Sequence, residues 1–233
     1  MILFALSDIH GNLDNLKKIR PHLTDADVIL LTGDITHFGK ERAIAETLQV
    51  FGPHAAKVLA VTGNCDYLEA GGALEREGLS LHRSFKTTMG LTFAGCSGSL
   101  PCPGRTPNEF SEEEFALFAS ELQPAFETGS PVVLVTHQPP FGTAADRIGS
   151  GEHVGSKAFR AFIDAHPPML SFCGHIHEAQ SISTLGATQI INPGPFMKGW
   201  YAAAKVEQGL VTEVELRNVV DNLEAPNLNQ QLK

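Results

Sequence analysis

Five short apolar runs, each closed within a residue or two by a side chain able to bind a metal, constrain this chain more than any other feature. The runs cover residues 2–7, 27–32, 57–62, 131–136 and 168–173. They are continuous rather than alternating, the pattern of strands buried on both faces of a parallel sheet. Helix-like stretches lie between them at about 12–23, 40–51, 66–77, 111–127 and 155–166. Such alternation predicts an α/β fold with parallel neighbours. Ser111 followed by Glu114 predicts a capping box opening the fourth helix. Residues 79–95 read as a hairpin turning at Gly90, and 181–216 as further strands with turns at Leu185-Gly186 and Gln208-Gly209. The segment GSLPCPGRTPN at 98–108 must be a loop, given its prolines and glycines. No linker or repeat splits the 233 residues, so one domain spanning 1–233 is expected, with a frayed tail after about 222.

The chemistry gathers where the runs end. ILFALS leads to Asp8 and His10, VILLTG to Asp34, VLAVTG to Asn64, VVLVT to His137, and MLSFCG to His175 and His177. Ligand sites of open α/β sheets lie at the carboxyl ends of the strands, so five strand ends can meet at one crevice. Residues i and i+2 at a strand end can point the same way, which suits the Asp8/His10 and His175/His177 spacings. Singly, Asp8, Asp34 or Asn64 could serve a turn or a helix cap. Together with four histidines they point to metal. Three oxygen donors and four imidazoles suit Mn, Fe, Zn, Co or Ni better than Ca or Mg, which prefer all-oxygen shells. Seven ligands exceed one tetrahedral site and fit two sites sharing a bridging carboxylate.

The net charge of −9, without a Lys/Arg cluster, argues against stable binding of a nucleic-acid backbone. A small phosphate ester remains accessible to an acidic protein if bound metal ions supply positive charge locally. No apolar run reaches the length of a membrane helix. The opening ILFALS is short and lacks a preceding basic segment, so it reads as a strand and the expected location is the cytoplasm. Cys65, Cys96, Cys102 and Cys173 contain no CxxC pair and are expected to be free thiols. Oligomeric state leaves no mark in the sequence.

The ordered array DIH, GD, GNCD, TH, GHIH, with NPG at 192–194, resembles the calcineurin-like metallophosphoesterases. The resemblance runs from Asp8 to His177. It implies a four-layer α/β/β/α sandwich of two mixed sheets flanked by helices. It implies one metal held by Asp8, His10 and His177, a second held by Asn64, His137 and His175, and Asp34 bridging them, with Asn64 and His137 also facing the substrate. Two divalent transition metals are expected, manganese favoured, and the implied reaction is in-line attack of a metal-bound hydroxide on phosphorus.

One position departs from the pattern. The usual motif is GNHD, whose histidine protonates the leaving group; here Cys65 stands in its place. A cysteine thiol beside two dications would tend toward thiolate, a poor proton donor. General acid catalysis contributes roughly 10²–10⁴-fold, and its loss should hurt basic leaving groups most. The expectation is therefore phosphodiesterase over phosphomonoesterase or protein phosphatase. A non-catalytic scaffold of the same fold is the reading from another class, and seven filled ligand positions argue against it. His37 is a second candidate for the acid. His153 and Arg105 are candidates for the substrate groove. His22, His54, His82 and His166 read as structural, Phe110, Phe115, Phe118 and Phe126 as helix core, and Asp66 as a stabiliser of the following helix N-terminus.

Overall fold

The computed structural model describes residues 1–219, so the expected frayed tail lies outside the described residues. The apolar runs become β1 (Ile2–Leu6), β2 (Val28–Thr32), β3 (Val58–Val61), β6 (Val132–Thr136) and β7 (Leu170–Phe172). Helices α1 (Leu13–Ile19), α2 (Glu41–Phe51), α3 (Leu68–Arg76), α4 (Glu112–Glu121) and α5 (Lys157–Ala165) lie between them in sequence. The hairpin region supplies β4 (Ser84–Thr88) and β5 (Leu91–Cys96). The late strands are β8 (Ser181–Leu185), β9 (Thr188–Asn192), β10 (Trp200–Glu207) and β11 (Leu210–Asn218).

The strands form two sheets, ordered β11-β10-β1-β2-β3 and β4-β5-β6-β7-β9-β8. β1, β2 and β3 run parallel, as do β5, β6, β7 and β9, while β10, β11, β4 and β8 pair antiparallel at the flanks. Alternate residues of each strand serve different cores. Leu3, Ala5 and Leu30 meet Phe93, Val133 and Phe172 between the sheets. Phe4, Leu6, Ile29 and Leu31 face Leu16, Ile44 and Leu74 of the helices on one side. Ala94 and Leu134 face Phe115 and Phe159 on the other. Burial on both faces is why these runs show no polar alternation. The result is the α/β/β/α sandwich, with α1–α3 outside the first sheet and α4 and α5 outside the second.

Several helices are shorter than expected. The first and fourth each stop before a proline and tighten into 3-10 turns, at Arg20–Thr24 and Gln123–Glu127. Proline cannot continue the helical hydrogen-bond ladder, which accounts for the break. Ser111 and Glu114 do form the reciprocal capping box of α4. Phe115 and Phe118 lie in the core beneath that helix, with Phe110 and Phe126 packed against it. Helix α3 starts later than expected, at Leu68, and its cap position is Tyr67, so Asp66 does not serve that terminus.

Candidate metal centre

The carboxyl ends of β1, β2 and β3 in one sheet and β6 and β7 in the other converge. They bring Asp8, His10, Asp34, Asn64, His137, His175 and His177 into one cluster. Three overlapping groups have ligand atoms within 4.8 Å of one another: Asp8/His10/His177, Asp8/Asp34/His137 and His10/Asp34/Cys65. The backbone bends sharply to present them. Asp8, His10, Asp34 and His175 all adopt positive φ, at 54°, 46°, 46° and 69°. Non-glycine residues occupy this region at a cost that the surrounding structure must offset, and such strain clusters at functional sites. Two glycines give the chain room. A Cβ on Gly63 would collide with the Asp34 backbone nitrogen and carboxylate, and one on Gly33 with the His137 ring.

Asp34 sits at the centre. Its Oδ1 accepts the Cys65 backbone N–H at 2.8 Å. Its Oδ2 lies 3.6 Å from both His10 Nε2 and His137 Nε2. Asp8 Oδ1 lies 3.2 Å from His177 Nε2, and Asp8 Oδ2 accepts the His175 backbone N–H at 3.2 Å. Rings of His137 and His175 meet edge-on at 5.1 Å, and His10 and His177 at 5.5 Å. Asp8 and Asp34 are both buried, and among the described residues only histidines pair with them.

Burial works against an ionised Asp34, but the His137 and His10 imidazoles and the Cys65 N–H outweigh it and hold its carboxyl well below the usual range. Asp8 is likewise held low against burial, mainly by its hydrogen bond to His177. Burial would lower His137, yet Asp34 prevails and raises it to about 9. Desolvation, with His137 adding to it, lowers His175, half-buried and facing His137, to about 4. Burial lowers His10 as well, whereas the hydrogen bond to Asp8 raises His177.

The donor atoms fit a cation. His137 Nδ1 lies 2.9 Å from the Thr32 carbonyl oxygen, which can only accept, so Nδ1 carries the proton. In the neutral imidazole Nε2 then presents a lone pair. It lies 3.0 Å from Asn64 Oδ1 and 3.6 Å from Asp34 Oδ2. Three acceptors facing one another require a positive charge among them, either a proton on Nε2 or a metal ion. His10 Nδ1 is buried with no hydrogen-bond partner. Tight oxygen and imidazole donors, carboxylates without lysine or arginine, and a histidine tautomer fixed by a carbonyl are together the character of a transition-metal site.

His37 is at the cluster, its ring 5.7 Å from that of His10. Cys65 Sγ joins the His10/Asp34 group, and the Asn64 amide nitrogen lies 3.5 Å from it. Burial and the Asp34 carboxylate push the Cys65 thiol strongly upward, so the protein's own groups favour a thiol; the thiolate expected here is that of a thiol beside two dications, which act the other way. Arg105 occupies an exposed turn at φ 49°, beside Thr106, whose Oγ1 accepts from the Asn64 amide. His153 Nδ1 lies 2.7 Å from buried Asp146, and its ring packs on Phe141.

Sequence reasoning missed three residues. Asp66, fully buried, accepts from Ile35 N, Thr36 N, Thr36 Oγ1 and Gly63 N, and so braces the turn carrying Asp34 against the turn carrying Asn64. This replaces its expected role at the α3 terminus. Thr106 bonds Asn64, and Cys102 Sγ lies 3.8 Å from His175 Nε2. Only the unusual density of prolines and glycines around Cys102 and Thr106 marked that loop. All four cysteines are free thiols, and no helix among the described residues is long and apolar enough to cross a membrane.

Comparison with known proteins agrees with this geometry. A sequence profile described as Calcineurin-like phosphoesterase matches residues 1–179. Uncharacterized protein MJ1162 of Methanocaldococcus jannaschii is 36% identical over 84% of this chain and 88% of its own length. A probable cyclic nucleotide phosphodiesterase of Ruthia magnifica is 27% identical, over 77% of this chain and 75% of that protein. The crystal structure of TT1561 from Thermus thermophilus superposes with a TM-score of 0.74 at 21% identity, covering 94% and 98% of the two chains. The profile and the archaeal relative establish that this chain belongs to the calcineurin-like phosphoesterase family.

Proposed function

We propose that the protein is a dinuclear-metal phosphodiesterase acting on a small phosphate ester. Asp8, His10 and His177 would hold one divalent transition metal, and Asn64, His137 and His175 the other, with Asp34 between them. Manganese is the favoured ion. Such a pair acidifies water and neutralises charge growing on phosphoryl oxygens. The chain's own groups do the rest. Asp34 Oδ2 is turned toward both His10 and His137, and Asp34 would serve both metals. His137 is held in one tautomer by Thr32. Arg105, which has no ion-pair partner among the described residues, adjoins Thr106 in sequence and would meet a phosphate oxygen.

The diester preference rests on Cys65, which stands at the edge of the cluster where the family's usual motif has histidine. A thiolate there has no proton to give, and a thiol raised by burial and by Asp34 gives its proton up reluctantly. Either form is a weaker acid toward a leaving alkoxide than an imidazolium. Diesters with good leaving groups, including cyclic and aryl ones, need that proton least. The probable phosphodiesterase from Ruthia magnifica agrees with this direction. The test is turnover of bis-p-nitrophenyl phosphate against p-nitrophenyl phosphate by Mn²⁺-loaded protein. The diester should be hydrolysed faster at equal concentration; a clear monoester preference refutes the proposal.

A further inference from the structure

The loop at 98–108 reaches the cluster through a chain of hydrogen bonds whose direction can be worked out. Thr106 Oγ1 lies 2.6 Å from Glu109 Oε1. An ionised carboxylate only accepts, so the Thr106 hydroxyl proton points to Glu109. The same Glu109 oxygen accepts the backbone N–H groups of Thr106 at 2.7 Å and of Cys102 at 3.2 Å. Three donors on one oxygen fix both the loop and the hydroxyl.

With its proton committed, Thr106 Oγ1 offers only lone pairs to Asn64, 3.0 Å away. The Asn64 atom facing it must then be Nδ2. The two ends of an amide cannot be told apart by shape, and the network decides which way it faces. Here the decision turns Oδ1 toward His137 Nε2 and the cluster. Asn64 is buried, so the flipped amide would bury an oxygen against the Thr106 lone pairs and aim an NH₂ group at the cation position.

We infer that Thr106, with its proton held by Glu109, is the positioning residue that orients the Asn64 amide with its oxygen toward the metal centre. The inference rests on the metal centre proposed above. Its substance is different: a threonine outside the ligand set selects the ligand atom that Asn64 presents. Loss of such outer partners lowers metal affinity by roughly 10–100-fold in general.

The experiment is calorimetric titration of the chelator-stripped protein with Mn²⁺ alone, for wild type, Thr106→Val, Thr106→Ala and Thr106→Ser, with thermal unfolding measured on each. Valine keeps the shape and removes the hydroxyl; serine keeps the hydroxyl. The wild type should take up two ions. Thr106→Val and Thr106→Ala should bind one ion as the wild type does and the other about 10–100-fold more weakly, the unfolding transitions showing that each variant is folded at the titration temperature, and Thr106→Ser should recover the wild-type isotherm. If valine and alanine both leave the two affinities unchanged, or if serine fails to recover what they lose, the positioning role is overturned while the metal centre stands. A wild type that binds no Mn²⁺ overturns both. In a His177→Ala background, which removes a ligand from the other ion, the same Thr106→Val loss should persist, because it belongs to the Asn64 side.

Discussion

His137 of the second sheet donates its Nδ1–H to the Thr32 carbonyl of the first sheet at 2.9 Å, so one side chain joins the two sheets at the floor of the cluster. Thr32 closes β2, and its carbonyl oxygen lies one step before the Gly33 turn that delivers Asp34. Replacing His137 by alanine removes a proposed ligand and this tie between the sheets, leaving the Ser7 hydroxyl on that carbonyl at 3.4 Å. Outer partners alone are worth roughly 10–100-fold in metal affinity, so deleting a direct donor should exceed that. His137→Ala is expected to retain one Mn²⁺ at most and to lose more than about a hundred-fold in diester turnover. Metal content after gel filtration, read beside activity, checks it; a variant with two tightly bound ions would remove His137 from the ligand set.

Cys65 offers a gain of function. Its backbone N–H is bonded to Asp34 Oδ1, so the main chain is anchored whatever the side chain. An imidazole placed there supplies the proton donor that the thiol lacks. Cys65→His should raise p-nitrophenyl phosphate or alkyl monoester hydrolysis by up to about 10²-fold, with a smaller change for the aryl diester. Steady-state rates on both substrates decide. No gain on any monoester places the proton donor elsewhere, and His37 beside His10 would be the next residue to replace.

Asp66 carries a stability prediction. Asp66→Ala leaves four donors without their acceptor in a site closed to solvent, and each stranded polar group costs about 1–3 kcal/mol. The loss should be at least about 3 kcal/mol, large for one substitution. Asp66→Asn keeps one acceptor oxygen and should lose less. Urea unfolding midpoints give the comparison; a cost for alanine under about 1 kcal/mol would show that the brace is dispensable.

The same residue marks where sequence stops being legible. The five strand ends could be read because buried parallel strands must be apolar on both faces, which makes the polar residue after each run conspicuous. The four layers followed from that alternation together with the family resemblance. Asp66 was misjudged because a local rule, acid at a helix start, competed with four N–H and O–H groups contributed by segments 30 residues away in sequence or across a turn. Thr106 and Glu109 escaped for the same reason: the partner that gives them meaning, Asn64, is 42 residues distant from Thr106. The positive φ of Asp8, His10, Asp34 and His175 also left no signature, since none of the four is glycine.

His82 stands outside the cluster and gives a pH dependence that the metal does not complicate. Its Nδ1 accepts the Ser97 N–H at 3.0 Å, and its ring lies against Phe110 and Phe118. Burial, with Arg83 adding to it, lowers its pKa from 6.5 to about 4. The folded state therefore resists a proton that the unfolded chain accepts, so between pH 6.5 and 4 the unfolded state binds more protons. Stability from this group is complete above pH 6.5 and declines as pH falls through that window. From pH 7.5 to pH 5 the loss should be about 2 kcal/mol. His82→Asn keeps an acceptor for Ser97 and cannot titrate. In chelator-containing buffer, the wild type should lose about 2 kcal/mol more than His82→Asn over that interval, by urea unfolding at each pH. Parallel losses in the two proteins would mean that His82 is protonated as easily folded as unfolded.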